Sequence, residues 1–214
     1  MSPTTVNLMS NSVLIHQAHF AGRLVALDEP GDLDPRQIAS TLARICRFGG
    51  NLRDDWPVVW HSVADHSVLV AGLLDLGGCD ARTQLVGLYH DAHEALFGDI
   101  VTPVKNWIGP ALREREDVLA AAVLCGVGID DAGVDWDAIN MADARALAIE
   151  VRLLGLDPVL FGVSPESLPE ALRQWLRWSG ILRENSHLSI GYLIDAGRDR
   201  FLEANGRLRK EIAS

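Results

Sequence analysis

Helical stretches divided by glycines dominate this chain. Asp34-Pro35 opens "DPRQIASTLARIC" with an N-cap acid and a first-turn proline, and Ile38, Leu42 and Ile45 follow at helical spacing. This helix is expected to end near "RFGGN", residues 47 to 51, where paired glycines interrupt it. Residues 67 to 76 and 81 to 97 read as two further helices, divided by Gly77-Gly78 and with Asp80 as an N-cap. More helices are expected at about 110 to 125, 135 to 155, 165 to 178 and 187 to 209. Strand signals are poor. "GRLVAL", residues 22 to 27, suits a short extended piece, but no set of alternating segments builds a sheet. The expected architecture is all-α, with an irregular N-terminal arm over residues 1–33 and one helical core over residues 34–214.

A chain of 214 residues, 48% hydrophobic and 22% charged, can bury an ordinary core. The formal charge of -10, from 29 acids against 19 Lys plus Arg, and the lack of a long basic run argue against binding long nucleic acid. A small anionic substrate remains compatible with that charge, provided a metal or a few placed Arg and Lys neutralise it locally. Cys46, Cys79 and Cys125 are odd in number and widely spaced, so they are expected to be reduced and mostly buried, forming neither a disulfide framework nor a zinc site. The first residues lack the basic start and apolar core of a signal peptide, and no window approaches the ~18 apolar residues of a membrane span. A cytoplasmic protein that does not engage membranes is the expectation.

Residues 88 to 99, "LYHDAHEALFGD", set polar groups into an apolar stretch. On a helix His90 and Glu94 share a face and Asp91 lies beside them, so all three can converge. His93 turns elsewhere and reads as a partly exposed surface histidine. "FGDIVTPVK" follows, a Gly-Asp turn and a Thr-Pro with a lysine, groups suited to phosphate. In "WDAINMADARALAIEVRLL" the apolar stripe through Ile139, Ala142 and Ala146 places Asp143 beside or within the buried face. A buried carboxylate needs a partner, either an arginine in an ion pair or a metal.

His66 stands at the start of an apolar helix. Its plain reading is a helix-entry histidine without chemistry, a reading His61 deserves more strongly. Together His66, His90, Asp91 and Asp143 offer two imidazoles and two carboxylates, a set suited to Mn, Co, Zn or Fe. The absence of thiolate fits an open, catalytic site.

His66, then His90-Asp91, then Asp143 resembles the H…HD…D signature of the HD-domain metal-dependent phosphohydrolases. "RFGG", "SVADHS", "HDAHE", "GD" and "TPVK", in this order, resemble more narrowly the bacterial and phage enzymes acting on deoxynucleoside 5'-phosphates, over roughly residues 35 to 155. The resemblance implies an HD-domain helical bundle with His66, His90, Asp91 and Asp143 as metal ligands. It implies Glu94 and Asp99 as catalytic acids assisting the attacking water and the leaving group. Arg47 matches a phosphate-binding arginine, Phe48 its base-contacting neighbour, and Thr102, Pro103 and Lys105 fall where the family lines the nucleotide pocket. Phe48 replaces the more usual Trp, and "GGNLRDDWPVVWH" is long for its place, so both departures touch the substrate pocket rather than the metal set.

The implied activity is a metal-dependent 5'-deoxynucleotidase releasing phosphate from deoxynucleoside monophosphates. Its rivals are a triphosphohydrolase releasing triphosphate, with Mg as a further metal for that substrate, and a non-catalytic nucleotide-sensing module. A triphosphate needs more cations, for which Arg53, Lys105, Arg113 and Arg145 are candidates. The family commonly self-associates, implying a dimer or higher homo-oligomer, and "EALRQWLRW" with Trp175 and Trp178 suits either core or interface.

Overall fold

Ser62 opens the helix around which the rest is packed. In the computed structural model, which describes residues 17–27, 29–52, 55, 58, 60–162 and 187–214, Ser62 and Asp65 form a reciprocal capping box at the head of α2 (Val63–Leu76). Every residue of α2 from Val63 to Leu74 is buried, because beyond Ser67 the helix is apolar on all sides and it is covered by α3 (Ala81–Tyr89), α7 (Trp136–Leu153) and the C-terminal helix α9 (Ile190–Ile212). Between them run α4 (Glu94–Phe97), α5 (Thr102–Ile108), α6 (Pro110–Gly126) and α8 (Pro158–Phe161). The described residues are predominantly helical, and none of their helices is long and apolar enough to cross a membrane.

Part of the N-terminal arm is ordered differently from the expectation. β1 (Gln17–Phe20) and β2 (Arg23–Ala26) form an antiparallel hairpin, and Phe20 and Val25 enter the core. The expected helix from 34 stops earlier, with α1 at Pro35–Leu42. Tertiary pairing ends it: the Arg47 and Val63 amides donate to the His61 and Ile45 carbonyls, drawing the chain alongside the entry to α2. The helix expected at 81 to 97 breaks at His90. Amides of Ala92, Glu94 and Leu96 donate to carbonyls three residues back, so the chain tightens before α4. Thr102, which follows the Gly-Asp turn, begins α5. Cys46 and Cys79 are half-buried and Cys125 exposed, all three as free thiols, so the expected burial does not hold. The helix expected at 165 to 178, with Trp175 and Trp178, lies outside the described residues.

Gly87 of α3 faces Leu74 of α2. A Cβ there would press on the end of the Leu74 side chain, so a larger residue would need Leu74 to move.

α9 is fastened to α2 by charge. Asp65 is buried, and besides the cap bonds its Oδ1 accepts from Arg200 Nε at 3.2 Å. Arg200→Ala leaves that carboxylate without its cation and is expected to destabilise the fold by about 2–3 kcal/mol. Equilibrium denaturation checks this; an unchanged midpoint would show that the cap bonds alone satisfy Asp65.

Candidate metal centre

Three stretches of chain meet at one point. The first turn of α2 supplies His66, the turn after α3 supplies His90 and Asp91, and α7 supplies Asp143. His66 Nε2 lies 3.3 Å from His90 Nε2, 3.6 Å from Asp91 Oδ2 and 3.0 Å from Asp143 Oδ1. His90 Nε2 lies 3.2 Å from Asp91 Oδ2 and 3.8 Å from Asp143 Oδ1. Ligand atoms held about 2.0–2.2 Å from one ion stand roughly 3.0–3.5 Å apart, so these separations suit a shared cation. His66, His90 and Asp91 form a group able to hold a metal ion, with Asp143 approaching from the facing helix.

Both imidazoles present the correct nitrogen. His90 Nδ1 is 2.8 Å from the Gly87 carbonyl, and His66 Nδ1 is 2.8 Å from Glu150 Oε1. Each acceptor requires a proton on Nδ1, so in the neutral ring the Nε2 lone pair faces the cluster. The electrostatics express the same demand for positive charge. Burial opposes ionisation of Asp91, yet His90, His66 and Arg47 hold its carboxyl well below the usual range. Burial likewise opposes protonation of His90, yet Asp91 and Asp143 push it well above an ordinary histidine. A divalent ion satisfies the carboxylates without protonating the rings.

Asp143 differs from its expected place. Its side chain is 47% exposed, so burial does not impose a partner on it. The fully buried acid of α7 is Glu150, two turns further along. Its Oε1 accepts from His61 Nε2 and His66 Nδ1, each at 2.8 Å, and its Oε2 from Arg47 Nη2 at 3.2 Å. His61, expected to have no partner chemistry, is thus part of a buried network. His93, expected on the surface, is only 7% exposed and packs against Phe97.

Arg47 occupies a short 3-10 turn (Arg47–Gly50), with Nη1 3.8 Å from Asp91 Oδ2 and a buried Nε that has no hydrogen-bond partner. Phe48 takes φ of 59°, a left-handed conformation strained for a residue with a side chain. Its ring meets Phe161 edge to face at 5.5 Å, and the Arg47 guanidinium lies 5.4 Å from its centre.

Glu94 is aligned with Asp91 by the tightened turn, since residues three apart eclipse there. One oxygen of each carboxylate and a ring nitrogen of His93 lie within 4.8 Å of one another. Burial first, then the charges of Asp91 and Asp99, push the Glu94 carboxyl up to about 9, and its Oε2 has no hydrogen-bond partner. Asp99, half-buried in the loop after α4, is also raised, by burial and then by Asp91 against the opposing pull of Arg47. Lys105 is turned toward Glu116, its Nζ 2.7 Å from Oε1. Thr102 and Pro103 are exposed at the start of α5. The sequence reading missed Glu150, whose one signal was its place seven residues after Asp143 in an apolar stripe.

Fold and cluster define a predominantly helical protein with a His/Asp group able to hold a metal. No protein-family model matches the chain. It is 40% identical over 110 residues to an uncharacterized protein of Rhodobacter capsulatus, covering 50% of this chain and 55% of that one. It is 34% identical over 137 residues to the uncharacterized protein YfdR of Escherichia coli K12, covering 62% of this chain and 70% of that one. The chain belongs to the family of the E. coli protein, and it spans about half the length of the R. capsulatus relative.

Proposed function

We propose that this protein is an HD-domain phosphohydrolase that releases phosphate from deoxynucleoside 5'-monophosphates. The observation that carries the reading is the convergence of His66, His90, Asp91 and Asp143 beside a buried acid, Glu94, whose Oε2 has no hydrogen-bond partner, and a partly buried arginine, Arg47. A divalent ion held by the four ligands supplies charge for a phosphoryl oxygen and a more acidic water. Arg47 neutralises the phosphate, and its free Nε–H is a donor available to it. Burial raises the Glu94 carboxyl, which suits it to hold a proton and pass it to the leaving oxygen, with Asp99 as the second acid. Phe48, paired with Phe161, supplies an aromatic surface next to Arg47 for a base.

A monophosphate is favoured over a triphosphate by the local cations. Arg47 and Lys105 act on both Glu94 and Asp99, and Lys105 is already engaged by Glu116, while Arg113 is engaged by Asn106. Phosphate release from a panel of deoxynucleoside mono- and triphosphates, with Mn or Co added, tests this. Orthophosphate from monophosphates is expected; triphosphate as product would reassign the substrate, and nucleotide binding without turnover would make the protein a sensor.

A further inference from the structure

Glu150 has no role in any step above, yet it is fully buried with both carboxylate oxygens engaged. It is fully buried on α7, in line with Asp143 on the same helical stripe. Its two oxygens hold three groups from two other stretches of chain: His61 and Arg47 from the paired segments before α2, and His66 from α2 itself. A carboxylate only accepts, so each of these groups must donate to it. For His66 that fixes the proton on Nδ1 and leaves Nε2 bare toward His90, Asp91 and Asp143. For Arg47 it occupies Nη2 and holds Nη1 toward Asp91 at 3.8 Å, with Nε left unpaired.

We propose that Glu150 is a positioning residue that sets, through one carboxylate, both the metal-binding tautomer of His66 and the place of the Arg47 guanidinium beside the centre. The inference rests on the metal-centre part of the functional reading and not on the substrate. Carboxylates behind metal-binding histidines raise ligand basicity as well as fixing the ring, so their loss weakens metal binding by about 10–100-fold. A purely structural ion pair would change stability and leave metal affinity alone.

Glu150→Gln separates these. One amide oxygen can still accept from the two imidazoles, but more weakly, while the amide hydrogens oppose Arg47. In the full chain, zinc affinity measured by competition with a chromophoric chelator is expected to fall about 10-fold or more, with far-UV circular dichroism unchanged. His61→Phe, which leaves the Glu150–His66 bond in place, serves as the comparison and is expected to keep zinc affinity within about threefold while lowering thermal stability. Wild-type zinc affinity in Glu150→Gln would overturn the proposal. Should that variant not fold, long-range nitrogen-15 spectra of the zinc-loaded wild-type protein decide instead: the His66 proton is expected on Nδ1 with Nε2 on the metal, and the reverse arrangement overturns the proposal. Failure of the wild type to take up zinc, manganese or cobalt would instead remove the metal reading itself.

Discussion

Asp91→Asn is expected to abolish stoichiometric metal uptake and to lower phosphate release by about 10³-fold or more, while the protein stays folded. Asp91 Oδ2 is the anionic atom on which the centre converges, 3.2 Å from His90 Nε2, 3.6 Å from His66 Nε2 and 3.8 Å from Arg47 Nη1. Asparagine preserves its volume and removes its charge, leaving two imidazoles and the half-exposed Asp143 to hold a cation among the positive field of Arg47. Elemental analysis after dialysis reads occupancy directly. A thermal-shift series gives an independent measure: a metal at 100 times its dissociation constant stabilises the native state by about 2.7 kcal/mol, roughly 5–11 °C for a chain of this size. Wild type should show that rise and Asp91→Asn should not. Equal occupancy and an equal rise in the two proteins would exclude Asp91 as a ligand.

Glu94→Gln is expected to lower turnover by about 10²–10⁴-fold and yet to stabilise the metal-free protein. The native state holds the Glu94 proton up to about 9, whereas the unfolded chain releases it near the ordinary glutamate value of 4.5. Between those values the native state binds more protons than the unfolded state, so this group makes stability fall as pH rises. Glutamine stays neutral throughout and removes the dependence. Unfolding of chelator-treated protein should therefore give similar stabilities for variant and wild type near pH 5, and an advantage for the variant that grows to about 2–4 kcal/mol by pH 8. Parallel pH curves would show that Glu94 is not the group that holds the proton.

Groups outside the metal cluster anchor its frame: the Arg200–Asp65 pair and the Ser62 capping box hold the first turn of α2, which carries His66, and α9 closes over it. Arg200 lies 135 positions from Asp65 in the chain, so nothing local in either segment marks the pair.

Helical periodicity, caps and glycines were sufficient to place α2, α6, α7 and the C-terminal helix to within a few residues, because those signals act over one or two turns. They failed where a distant strand of chain competed. α1 ends at Leu42 because residues 45 to 47 pair with 61 to 63, and the expected helix from 81 breaks at His90 in a run of tight turns. Residue chemistry and the H…HD…D resemblance singled out His66, His90, Asp91 and Asp143, whose approach within 3.0–3.8 Å then followed from packing α2 against α3 and α7.

What residue type and spacing alone determined was the chemistry available on a helical scaffold: two imidazoles, two carboxylates and a following acid at Glu94; Arg47 entered only through the family resemblance. Which acid is buried was decided by the tertiary structure. Periodicity points to a stripe on α7 but not to its depth. Along that stripe Asp143 keeps a half-exposed side chain while Glu150, two turns on, is fully buried. Charge compensation at Glu150, and with it the orientation of His66 and Arg47, depends on residues 84 to 103 positions apart, and only folding sets those distances.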